Sequence, residues 1–119
     1  FTQDQALLMS ASFGGGIGRM RQTCGAACGM FVLAGLQSGT TIGSDREGKS
    51  RNYAMVQQLA ESFKQINGSI ICAELLGLKS NAEITAQASE RTDSYYKKRP
   101  CSEMVRTAAR LFANAISQD

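Results

Sequence analysis

No histidine occurs anywhere in the chain. That absence excludes a Cys–His nucleophile pair and every metal site that depends on imidazole. Charge of one sign is scarce as well: 13 Lys+Arg against 10 Asp+Glu leave a net charge of +3, dispersed rather than drawn into a stripe that could follow phosphates. The densest basic cluster, Tyr95-Tyr96-Lys97-Lys98-Arg99, reads as a solvated loop leading into a helix, and no nucleic-acid partner is expected. Long apolar runs are missing too. The longest uncharged one, Thr23 to Gly43, is broken by Gly, Ser, Thr and Gln, so no membrane span is expected. With no signal peptide visible, the expectation is a soluble, cytoplasmic protein. A length of 119 residues suits a single domain over 1–119 whose core is large enough to need no disulfide staple.

What the chain does have is four cysteines. Three fall where a first helical turn is expected: Cys24 after Thr23, Cys72 three residues after Ser69, and Cys101 after Pro100. Free backbone N–H groups and the positive end of a helix dipole stabilise a thiolate there, making sulfur a better nucleophile or metal ligand. Arg19 and Arg21 before Cys24, and Lys97, Lys98 and Arg99 before Cys101, add positive potential of the same sense. In a reducing cytoplasm such cysteines are more often catalytic, metal-binding or buried than permanently paired. Cys28 is different: mid-helix in an apolar segment, it reads as a small buried hydrophobe. Cys24 and Cys28 share a helix face with Cβ atoms about 5–6 Å apart, too far for a disulfide, which prefers about 3.5–4.5 Å. The same spacing suits two ligands of one metal, and Cys24, Cys28, Cys72 and Cys101 together make up the ligand count of a tetrahedral site.

Periodicity predicts an all-α chain. Thr2 with Gln5 forms a capping-box pattern opening a short helix to Phe13, with Ala6, Leu7, Met9 and Phe13 at helical spacing. A second helix, capped by Thr23 and running to about Gly39, carries no charge from Cys24 to Gln37 and is expected to be central and buried all round. Gly25, Gly29 and Gly35 in it imply close packing against a neighbour, with Gly25 and Gly29 on one face. Ser50 to Asn67 sets Tyr53, Val56, Leu59, Ala60, Phe63 and Ile66 on one side and is closed by Gly68. Ser69 restarts a short helix that Gly77 ends, and Ser80 with Glu83 forms a further capping-box pattern. Pro100 opens the last helix, with Cys101, Met104, Val105, Ala108, Phe112 and Ala115 inward. No segment alternates with the two-residue period of a strand.

Two glycine-rich motifs invite a nucleotide reading. Gly43 to Ser50 fits G-x-x-x-x-G-K-[ST] letter for letter. A working phosphate loop follows a buried strand, however, whereas this one follows a helix and carries Asp45 and Glu47 inside the cradle, so the match is read as coincidental. In Gly14-Gly15-Gly16-Ile17-Gly18 the third glycine of a dinucleotide fingerprint would stand at 19 or 21, and both are arginine. That run reads as a structural turn.

The stretches FGGGIGRMRQTCGAACGMFVLAGLQSG, FKQINGSIICAELL and RPCSEMVRTAARLF, in that order, resemble the C_GCAxxG_C_C family of putative redox-active proteins. The resemblance spans about Phe13 to Phe112. It implies a small helical protein with four characteristic cysteines, selenocysteine in some members, and an association with transporter or oxidoreductase systems. By position, Cys24 is the cysteine of CGAxxG, Cys72 that of the short helix and Cys101 that of the last. The remaining family cysteine belongs to a helix expected before Phe1, and Cys28 stands at an x position of the motif.

The expectation is therefore a single bundle of about five helices around a central apolar one, acting as a thiol redox protein. In it a thiolate among Cys24, Cys72 and Cys101, with Cys24 the first choice, attacks a disulfide, peroxide or other electrophile, and a second cysteine resolves the product. No cofactor is required, and the partner is a redox protein or a small thiol or disulfide, with a homo-oligomer compatible. Two alternatives stand beside this reading. One is a zinc or iron–sulfur protein ligated by Cys24, Cys28, Cys72 and Cys101. The other is a non-catalytic helical interaction module with buried cysteines.

Overall fold

The computed structural model describes residues 1–78, 84–88 and 100–117. The Ser80/Glu83 capping pattern and the Tyr95–Arg99 cluster lie outside them. Among the described residues the chain is all-α, with five α-helices, one 3-10 turn and no strand. No helix among them is long and apolar enough to cross a membrane.

Helix α1 spans Gln3–Ser10, with both halves of the capping box present: Gln5 N–H donates to Thr2 Oγ1 at 3.1 Å and Thr2 N–H to Gln5 Oε1 at 3.0 Å. A 3-10 turn, Ala11–Phe13, follows. No residue of α1 is buried, and Leu8 is 76% exposed, so the apolar spacing that suggested an inward face meets no covering partner among the described residues.

Helix α2 (Gly25–Ser38), helix α3 (Arg46–Asn67) and helix α5 (Cys101–Ile116) form a three-helix core, with the four-residue α4 (Cys72–Leu75) beside it. Ala27, Met30 and Ala34 of α2 pack against Leu59 and Phe63 of α3 and Met104 and Ala108 of α5. Phe63 and Met30 are the largest fully buried side chains. Burying a side chain of that size contributes roughly 1.5–3 kcal/mol. Asn52 clips α3 to the end of α2, its Nδ2 donating to Ala34 O at 3.3 Å and to Ser38 Oγ at 3.2 Å.

Five expectations are corrected. Helix α2 is central but not buried all round: α3 and α5 cover two sides, and on the third Val32, Leu33 and Leu36 are exposed, Leu36 by 59%. Gly29 and Gly35 face open space, so neither marks a close approach, whereas a Cβ on Gly25 would stand 2.6 Å from Phe13 O. Helix α3 begins four residues earlier than Ser50, because Asp45 caps it by accepting from Gly48 N–H at 2.9 Å. Its apolar side is also narrower than the spacing suggested, with Tyr53 and Ile66 exposed. On α5, Val105 faces outward while Met104 and Ala108 fill the core.

Candidate functional site

The site is built where two chain segments meet head to head. Thr23 was expected to cap α2; Cys24 holds that position instead, and Thr23 pairs antiparallel with Ile71 in an isolated bridge. Cys24 N–H donates to Ile70 O and Cys72 N–H to Gln22 O, both at 2.6 Å. Thr23, Ile70 and Ile71 are β-branched and suit this short extended pairing. Cys24 and Cys72 are thus diagonal neighbours across the bridge, a relation that sets Cα atoms roughly 7–8 Å apart and side chains on one face. Both segments turn into helices immediately afterwards, which carries each sulfur into the bend.

The glycine run before the bridge closes the site from one side. Gly15, Gly16, Ile17, Gly18, Arg19 and Arg21 all have φ between 56° and 74°, a left-handed coil that only glycine enters freely. Backbone bonds hold it, among them Gly18 N–H to Ser12 O at 2.7 Å and Gln22 N–H to Gly16 O at 2.9 Å. Gly16 is there for space as well as for its dihedral: a Cβ on it would stand 2.5 Å from Cys72 Cβ and 2.8 Å from Arg21 Cα. The run predicted as a turn is therefore the floor beneath Cys72.

Cys24, Cys72 and Cys101 line one cavity of about 790 Å³, with Arg21 at the same end. Away from the sulfurs its walls are apolar, formed by Leu7, Phe13, Val32, Leu33, Leu36 and Val105. All four cysteines are free thiols; Cys72 is buried and the others half-buried. Cys28 turns away, its thiol directed at Thr23 O at 3.9 Å. Among the described residues no group of three or more His, Cys, Asp or Glu side chains is placed to hold a metal ion.

Electrostatics differ from the helix-start expectation. Burial pushes the Cys24 thiol above the ordinary cysteine value. The Ala27 and Ala26 N–H groups pull it down, and negative charge on Cys72 or Cys101 would push it further up. Desolvation wins because the sulfur forms no true capping hydrogen bond. Burial also raises Cys28, with the charge of Cys24 adding to it. The positive potential expected at Cys24 stands elsewhere: Arg21 Nη1 donates to Cys72 Sγ at 3.7 Å.

The phosphate-loop lookalike is self-occupied. Asp45 sits where an anion would sit, taking the Gly48 N–H, and a Cβ on Gly48 would collide with its carboxylate. The Gly48 N–H, the Thr40 hydroxyl and Arg51 all hold the Asp45 carboxyl below its usual range, against a small opposing effect of burial.

Compared with known proteins, residues 1–115 match the family model described as "Putative redox-active protein (C_GCAxxG_C_C)". No curated protein and no solved structure matches the chain.

Proposed function

Because the chain belongs to the C_GCAxxG_C_C family of putative redox-active proteins, we propose that its redox activity is carried by the thiols of Cys24, Cys72 and Cys101 in dithiol/disulfide exchange. The observation that carries this reading is that three sulfurs from sequence positions up to 77 apart open onto one groove as free thiols. Cys24 is the hub, since it senses charge on both of the others. A thiolate attacks one sulfur of a substrate disulfide, a mixed disulfide forms, and a second cysteine displaces the remaining substrate sulfur. The apolar wall of the groove favours a substrate with an apolar body, and a small dithiol or a redox partner protein returns the pair to its reduced state.

The bridge makes this exchange mechanically reasonable. A disulfide needs Cβ atoms about 3.5–4.5 Å apart, so bonding Cys24 to Cys72 requires a shift of a few ångström. The elements that must yield are short: the four residues of α4 and a single bridge pair. Neither belongs to the three-helix core.

The test is equilibration of the purified chain in glutathione buffers from about −200 to −300 mV, followed by alkylation and peptide mass mapping. The expected outcome is a disulfide joining two of Cys24, Cys72 and Cys101 that interconverts with the dithiol across that range, with Cys28 alkylated throughout. A chain in which no pair interconverts, and all four thiols alkylate slowly in the native state, is an inert helical module.

A further inference from the structure

Arg21 is held in place from both sides. Its N–H donates to Gly15 O at 3.1 Å, and its carbonyl accepts the Ala73 N–H of α4 at 3.3 Å. Its φ of 61° lies in the left-handed region, which is unfavourable for a residue with a side chain. Such strain persists only where surrounding contacts over-determine it. The outcome of the constraint is a half-buried guanidinium whose Nη1 lies 3.7 Å from Cys72 Sγ. Among the described residues no carboxylate pairs with Arg21, and its guanidinium donates to the Cys72 sulfur. At the Cys24 sulfur the stabilising groups among the described residues are the Ala27 and Ala26 N–H groups.

We propose that Arg21 is a positioning residue that makes Cys72 the attacking sulfur of the site, with Cys24 resolving. The inference rests on the thiol reading above and assigns the order of events within it. A guanidinium hydrogen-bonded to sulfur stabilises the negative charge the sulfur carries as it attacks. Gly16 beneath the Cys72 Cβ, and the bond from Cys72 N–H to Gln22 O, hold the backbone that carries this sulfur beside Arg21.

The balanced sequence is short. Cys72 thiolate attacks one sulfur of a disulfide R–S–S–R; the S–S bond breaks, a Cys72–S–S–R bond forms, and RS⁻ leaves with the electron pair. The Cys24 thiol then gives its proton to that leaving group and attacks Cys72 Sγ, forming the Cys24–Cys72 bond and expelling the second RS⁻. Two electrons pass to the substrate, and an external dithiol restores the pair. Burial shifts the Cys24 thiol upward, which suits a sulfur that does not open the reaction.

The experiment uses the full chain carrying Cys24→Ser, so that the mixed disulfide accumulates, and the neutral disulfide dithiodipyridine at less than one equivalent. Mass mapping is expected to find the first adduct on Cys72. Adding Arg21→Gln is expected to slow that reaction by about tenfold or more while Cys101 keeps its rate, and Arg21→Lys is expected to stay within about threefold of the parent. Far-UV circular dichroism checks that each variant is folded. First labelling of Cys101, a Cys72 rate unchanged by Arg21→Gln, or a fall with Arg21→Lys in a folded chain as deep as with Arg21→Gln would each overturn the assignment. Should Arg21→Gln not fold, the adduct map and the Arg21→Lys rate still decide. If Cys72 reacts first but no cysteine pair ever oxidises, the exchange reading fails and the assignment of Arg21 stands.

Discussion

At the scale of single residues, identity and position carry different information. The sequence names Cys24, Cys72 and Cys101 as candidates through their neighbours, Thr23, Ser69 and Pro100, and all three sulfurs do open onto one groove. It does not say which cation serves which sulfur. Arg21 precedes Cys24 by three residues yet addresses Cys72, 51 residues on, because a left-handed coil turns its side chain across the bridge. Gly16 is the residue whose role was least legible: nothing in a GGGIG run distinguishes the glycine under a cysteine from its neighbours. Gly16→Ala is therefore expected to destabilise the protein by about 2–4 kcal/mol, combining the left-handed penalty with overpacking against backbone at Arg21 and Gln22. Gly18→Ala, with a positive φ but no neighbour within 4 Å, should lose only about 1–2 kcal/mol. Urea titration of the two variants checks both values, and equal losses would remove Gly16 from the floor of the site.

At the scale of elements, caps and periodicity located the five described α-helices and erred at their edges for identifiable reasons. Helix α3 starts at Arg46 because an aspartate caps it from inside a motif that reads as a phosphate loop. The same side chain that makes the helix start unmakes the anion site. Asp45→Ala is expected to lower the thermal midpoint at pH 7. The sign with pH follows from the lowered carboxyl: the folded chain holds this proton more weakly than the unfolded chain, so the stabilisation is present above the ordinary carboxylate range and is lost as pH falls through the lowered value. Melting curves of the wild type and the variant should converge at acid pH. In an apolar α2, by contrast, periodicity has no power to choose a face, since every face is apolar; only the positions of α3 and α5 decide that Ala27, Met30 and Ala34 go inward.

At the scale of the whole molecule, the buried core and the cysteine-lined groove adjoin, with Met30 and Ala108 belonging to both. The core is α2, α3 and α5, centred on Phe63 and Met30, whereas α1 lies outside it and buries no residue. Phe63→Ala is expected to destabilise the chain by about 3–5 kcal/mol, while Leu8→Ser on α1 should change stability by less than about 0.5 kcal/mol. Denaturant unfolding measures both; a comparable loss from Leu8→Ser would mean that α1 is part of the core. What the sequence alone determined was the helical class, the family and the candidate cysteines, because helix caps, turn glycines and amphipathic spacing are local properties written within a few residues. Only the tertiary structure decided that Cys24 and Cys72 meet across a bridge, that Arg21 belongs to Cys72, and that one side of the apolar helix is left open. Those depend on contacts between segments about 50 residues apart, and an i,i+4 pattern carries no information about them.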